Sequence, residues 1–133
     1  MDEIWNHVKN NFELCIPHLP KYEKIINTIS EMDFKEKTVY DFGTGTGILA
    51  ILAEKLGASK VIAVDNDDWC IDNALENTQT NQCNKIKIIK VETAQQAETF
   101  DIILANINRH IIEANIIALS KAGNLGAQLV LSG

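Results

Sequence analysis

The sequence predicts an α/β fold, a doubly wound parallel sheet of expected strand order 3-2-1-4-5, in one domain covering 1–133. Three observations predict it. Strand-like and helix-like segments alternate from Thr38 onward, the pattern of a parallel sheet wrapped by helices. Lys60-Val61-Ile62-Ala63-Val64 is an uninterrupted apolar run, as expected of a strand buried on both faces. Asp41-Phe42-Gly43-Thr44-Gly45-Thr46-Gly47 places a glycine-rich turn between the first strand and its helix, where such folds let the backbone approach a nucleotide-like ligand.

Residues 1–33 read as a helical segment and 34–133 as the core. Trp5–Phe12 and Lys21–Met32 have amphipathic spacing, and Pro17 and Pro20 break the chain between them. The first strand is Thr38–Phe42. Its helix, Ile48–Leu56, carries Ile48, Leu49, Ile51, Leu52 and Leu56 on adjoining faces, and Gly57 ends it. The second strand closes on Asp65. A helix follows from about Asp67 to Thr78, with Trp69, Ile71, Ala74 and Leu75 on its expected buried side. The third strand, Lys85–Val91, has lysines at 85, 87 and 90 that suit a sheet edge. The fourth is Phe100–Ala105, and the next helix, Arg109–Ser120, has Ile112, Ile116 and Leu119 at helical spacing. Gly123 and Gly126 mark the turn into a fifth strand, Ala127–Ser132.

Composition narrows the function. A formal net charge of −6 argues against direct nucleic-acid binding and suits a basic protein partner. The 3 cysteines, Cys15, Cys70 and Cys83, are odd in number and form no C-x-x-C pair, pointing to a reducing compartment rather than a disulfide framework. The chain opens without a basic and apolar leader and has no run of membrane-spanning length, so a cytoplasmic location is expected. Cys15 and His18, with His7 upstream, lack a fourth ligand at a matching spacing, so no metal is expected.

The glycines fall as G-x-G-x-G, with Ile48 where a dinucleotide fingerprint starting at Gly43 needs its third glycine. Asp41, two residues ahead of Gly43, would repel a pyrophosphate at the helix N-terminus but suits a ligand bearing an amine and a sulfonium. S-adenosyl-L-methionine is such a ligand. Gly43 and Gly45 let it lie against the backbone, while Asp41 could instead cap amides of the turn. Asp65 follows at about the 20-residue spacing at which nucleotide-binding folds place an acid on the ribose hydroxyls. Asn66, Asp67 and Asp68 are available to cap the next helix, which leaves Asp65 for the ligand. Glu92, after the third strand, could face the adenine amino group or be a solvated loop acid. Asn106, ending the fourth strand, could accept a hydrogen bond from a substrate amine or form a turn. Asn108 and Arg109 read as a helix start. His110 reads as a solvent-facing helical residue.

The runs "VYDFGTGTGILAILAEKLG", "VIAVDNDDW" and "FDIILANINRHII" resemble class I S-adenosylmethionine-dependent methyltransferases, most of all the family that methylates ribosomal protein L11 (PrmA). The resemblance implies a Rossmann-like fold and N-methylation of a protein amine, a lysine or amino terminus of a ribosomal protein. It implies that Asp41, Gly43 and Gly45 hold the methionine end of the cofactor, Asp65 the ribose and Glu92 the adenine edge, with Asn106 at the methyl-transfer centre. The family's separate N-terminal domain and its antiparallel hairpin after strand five have no counterpart in these 133 residues. The alternatives are a truncated or non-catalytic S-adenosylmethionine-binding module and a small-molecule methyltransferase. A nicotinamide dehydrogenase ranks behind both, because of Ile48 and Asp41.

Overall fold

The computed structural model describes residues 19–132. They form α1 (Leu19–Ser30), β1 (Thr38–Phe42), α2 (Ile48–Lys55), β2 (Lys60–Asp65), α3 (Asp68–Thr80), β3 (Ile86–Lys90), β4 (Phe100–Asn106), α4 (Arg109–Lys121) and β5 (Gly123–Ser132). All strand pairs are parallel, in the order β3-β2-β1-β4-β5. The expected doubly wound sheet is therefore present, with β3 at one edge. The expected helix at Trp5–Phe12 lies outside the described residues. Pro20 falls in the first turn of α1 rather than before it, where the missing N–H has no helical partner to lose.

Side chains alternate across the sheet, so each strand feeds two cores. Val39, Val61, Ala63, Ile102 and Leu104 pack with α1 and α2 on one face. Tyr40, Phe42, Ile62, Val64, Ile103 and Ala105 pack with Ile112 and Leu119 of α4 on the other. The same alternation sends Asp41, Asp65 and Asn106 towards the α2 face.

Strict alternation of strand and helix fails once. No helix joins β3 to β4, and residues 91–99 cross the second face as an irregular segment. Ala94, fully buried, anchors this crossing in the core beside Tyr40.

Three apolar residues expected in the core lie at the surface: Trp69 is 66% exposed, Leu75 43% and Ile116 39%. On α3 the reason is closeness. The α3 face towards α2 presents Ala74, Asn77 and Thr78, and a Cβ added at Gly47 would lie 3.3 Å from Ala74 Cβ. Asn77 Nδ2 donates to the Thr46 carbonyl across the same contact at 2.8 Å. A helix held this tightly has room only for small or hydrogen-bonded side chains.

β5 also begins earlier than its glycines suggested. Gly123 already pairs with Phe100, and the register then jumps so that Ile102 pairs with Gln128. The extra residues bulge outward with Gly126 at φ 81° and Leu125 fully exposed.

Candidate functional site

The site is built at the carboxyl ends of β1, β2 and β4, where open α/β sheets bind ligands. After Phe42 the chain turns sharply because Gly43, Gly45 and Gly47 adopt φ 76°, 58° and 86°, a region that side chains with a Cβ rarely enter. The carbonyl of Val64 accepts from the amides of both Gly43 and Thr44 at 2.9 Å. This ties the turn to β2.

The two glycines singled out by sequence serve different ends. A Cβ on Gly43 would lie 2.2 Å from Ile107 Cγ2, so Gly43 admits a packing partner. A Cβ on Gly45 would meet nothing within 4 Å. Gly45 therefore leaves open space beside its Cα for a ligand, while its amide is engaged by Asp65.

Asp41 lies beneath the turn rather than lining an opening. It is 1% exposed, and its Oδ2 accepts from Thr44 Oγ1 at 2.7 Å. Burial pushes its pKa up to about 7, assisted by the charge of Asp65 and opposed by the Thr44 and Ala50 hydrogen bonds. Within the turn its partner is thus the Thr44 hydroxyl rather than a backbone amide. Asp41 places a titratable charge under the loop without itself presenting a carboxylate to solvent.

Asp65 is partly exposed and lines a cleft, but it is not left free of capping as expected. Its Oδ2 accepts from the Gly45 amide at 2.9 Å, and its Oδ1 accepts from the amides of Asn66 at 2.8 Å and Asp67 at 3.1 Å. Asp67, at the N-cap of α3, makes no side-chain capping bond. A carboxylate reaches the amides just after it through a short turn, so Asp65 both shapes its own loop and locks the glycine loop. Two carboxylate oxygens offer about four acceptor directions, which leaves one outward for a hydroxyl.

The cleft beside these residues has a volume of about 100 Å³ and is lined by Phe42, Gly43, Asp65, Asn66, Val91, Glu92, Ile107, Ile111 and Asn115. Whole small-molecule sites usually measure about 300–1,000 Å³, so this cleft suits one ring system rather than an entire cofactor. Val91, Ile107 and Ile111 supply apolar walls, and exposed Glu92 supplies an acceptor at the rim. The structure thus brings Gly43, Asp65 and Glu92 together.

Asn106 does not join them. It ends β4 on the α2 side of the sheet, opposite in parity to Ile107, and makes no side-chain hydrogen bond among the described residues. Sequence reading missed Thr44, Asn66, Ile107, Ile111 and Asn115. The first two follow predicted site residues directly, whereas the others come together only through the fold. Asn108 accepts from the His110 amide at 2.8 Å and caps α4, as its position suggested.

Among the described residues no group of three or more His, Cys, Asp or Glu could hold a metal ion; the Cys15 and His18 pair lies outside them. No described helix is long and apolar enough to cross a membrane.

Fold and cradle together define a class: Rossmann-like domains that hold a nucleoside-bearing ligand at the carboxyl ends of the strands. The family model for ribosomal protein L11 methyltransferase (PrmA) matches residues 13–133, and the chain belongs to that family. The ribosomal protein L11 methyltransferase of Porphyromonas gingivalis is 46% identical over 112 residues, 82% of this chain and 38% of that protein. The crystal structure of ribosomal protein L11 methylase from Lactobacillus delbrueckii subsp. bulgaricus matches with TM-score 0.81 and 36% identity, covering 87% of this chain and 61% of that one. A Trypanosoma brucei PRMT1 enzyme-prozyme complex, determined with AdoHcy, matches with TM-score 0.60 and 30% identity over 73% of this chain and 33% of its own. The chain spans about two-fifths of the length of the curated relatives it matches.

Proposed function

We propose that this chain binds S-adenosyl-L-methionine on the glycine loop and in the adjoining cleft, and serves methyl transfer to an amine of a protein substrate. The finer reading is ribosomal protein L11, from the names of its relatives, with a lysine or amino terminus as the acceptor that the sequence resemblance implies. The observation that carries the proposal is Gly45, whose unobstructed left-handed backbone opens beside a cleft holding Asp65 and Glu92.

The residues present fit the cofactor. The apolar walls from Val91, Ile107 and Ile111 suit the adenine faces, and Glu92 suits its amino group. Asp65 retains an acceptor for the ribose, and Gly45 admits the chain that leads to the sulfonium. Asp41 supplies negative charge below that chain. When bound, S-adenosylmethionine supplies a methyl group already activated by the sulfonium, so the protein's part is alignment and exclusion of water. Asn106, at the end of β4 and unbonded among the described residues, is the group we assign to orient the acceptor amine through its side-chain carbonyl. Residues 1–133 act as one cofactor-binding unit in this reading.

Calorimetry with S-adenosylmethionine and a methyl-transfer assay on ribosomal protein L11 test the proposal together. Binding with transfer supports it, and binding without transfer selects the non-catalytic module instead. Asn106→Ala should lower turnover by about tenfold or more while leaving cofactor affinity nearly unchanged. Loss of affinity alone would remove Asn106 from the transfer centre.

A further inference from the structure

The crossing from β3 to β4 lacks regular structure, yet one of its residues is held with unusual completeness. Ala94 is fully buried, and side chains from two other elements bind both of its backbone polar groups. Its amide donates to Asn115 Oδ1 of α4 at 3.0 Å, and its carbonyl accepts from Tyr40 Oη of β1 at 2.9 Å. Both ends of the Asn115 amide are engaged, because its Nδ2 donates to the Ile111 carbonyl one turn earlier at 2.9 Å. Tyr40 is itself immobilised, stacked on Phe100 with ring centroids 5.2 Å apart. Glu92 lies two residues before Ala94, and Glu92, Ile111 and Asn115 all line the same cleft.

We propose that Asn115 is a positioning residue that fixes the 91–96 segment, and through it Glu92, so that the cleft accepts adenine in preference to a base lacking the exocyclic amine. The inference rests on the proposed binding of S-adenosylmethionine and names the element that makes that site selective. Its physical basis is the cost of an unmade bond. Without Asn115 Oδ1, the buried Ala94 amide has no protein acceptor, and a buried unsatisfied donor costs about 1–3 kcal/mol. The segment relieves that cost by lifting towards water, which carries Glu92 away from the rim. Tyr40 alone then holds Ala94 by its carbonyl, and the segment can pivot about that bond.

The test compares the wild-type chain with Asn115→Ala and Asn115→Asp, the latter keeping an acceptor for the Ala94 amide. Three quantities are read: affinity for S-adenosylmethionine, affinity for its inosine counterpart, and hydrogen exchange at the Ala94 amide in the ligand-free chain. The expected result is about tenfold weaker binding of S-adenosylmethionine by Asn115→Ala. The inosine analogue, whose C6 carbonyl offers Glu92 no exocyclic donor, should change much less. Ala94 exchange should rise in the same variant, and Asn115→Asp should restore most of the protection and of the preference.

Equal losses for both ligands in Asn115→Ala would mark a merely structural role and overturn the inference. Wild-type affinity and protection in Asn115→Ala would overturn it too, while leaving S-adenosylmethionine binding intact. A wild-type chain that binds neither ligand would overturn the proposed function itself, and this selectivity with it.

Discussion

Gly43 and Gly45 look alike in sequence and differ in what they prevent. Gly43 stands against Ile107, with φ 76° and an added Cβ only 2.2 Å from Ile107 Cγ2. Gly43→Ala should therefore destabilise the fold by at least about 2 kcal/mol, through left-handed strain and overpacking together, measured by chemical denaturation. Asp41 makes a different prediction. Its folded pKa of about 7 lies above the ordinary 3.8, so between those values the native state holds a proton that the unfolded chain releases. Its contribution is complete below about pH 4 and is lost as pH rises through about 7. Asp41→Asn should remove that part of the slope, so wild-type stability relative to the variant should fall across this window in a pH series of denaturation curves. Neither residue's role was legible from its type alone. The motif located both, but burial and the Ile107 contact arise from the fold.

At the scale of elements, helix and strand positions followed from periodicity, because apolar spacing reports which face a segment buries, and the strand order followed from the fold class those elements define. The failures have a common cause. Trp69, Leu75 and Ile116 are apolar residues at plausible spacings whose faces meet no partner. Only the distance between packed elements decides that, and the α2 to α3 contact is set by Gly47 and Ala74. Ala74→Val should force these helices apart and cost about 1–3 kcal/mol, whereas Trp69→Ala should change stability by less than about 0.5 kcal/mol. Thermal unfolding of the two variants side by side checks both. The absent helix between β3 and β4 is a further case. Sequence located two strands there, while the course of the crossing is set by two side-chain hydrogen bonds to Ala94 from distant elements.

Across the whole molecule, the glycine loop and cleft lie on a sheet whose two cores close around it, so ligand binding and global stability are linked. S-adenosylmethionine at 100 times its dissociation constant should stabilise the native chain by about 2.7 kcal/mol. That corresponds to a rise in Tm of about 10 °C for a chain of this size, read by calorimetric scanning with and without ligand. Asn106 ends β4 outside the residues that line the cleft.

The sequence alone determined the parallel sheet and its glycine turn, because strand burial and left-handed backbone leave direct marks on residue type. It also pointed to an acid at about the right spacing for a ribose. Tertiary structure decided what each of these residues touches. It buried Asp41 under the turn, engaged Asp65 with three amides, separated Asn106 from the cleft and brought Asn115 to Ala94. The reason is that hydrogen-bond partners distant in the chain, and the faces onto which strands project them, are settled only when the layers pack.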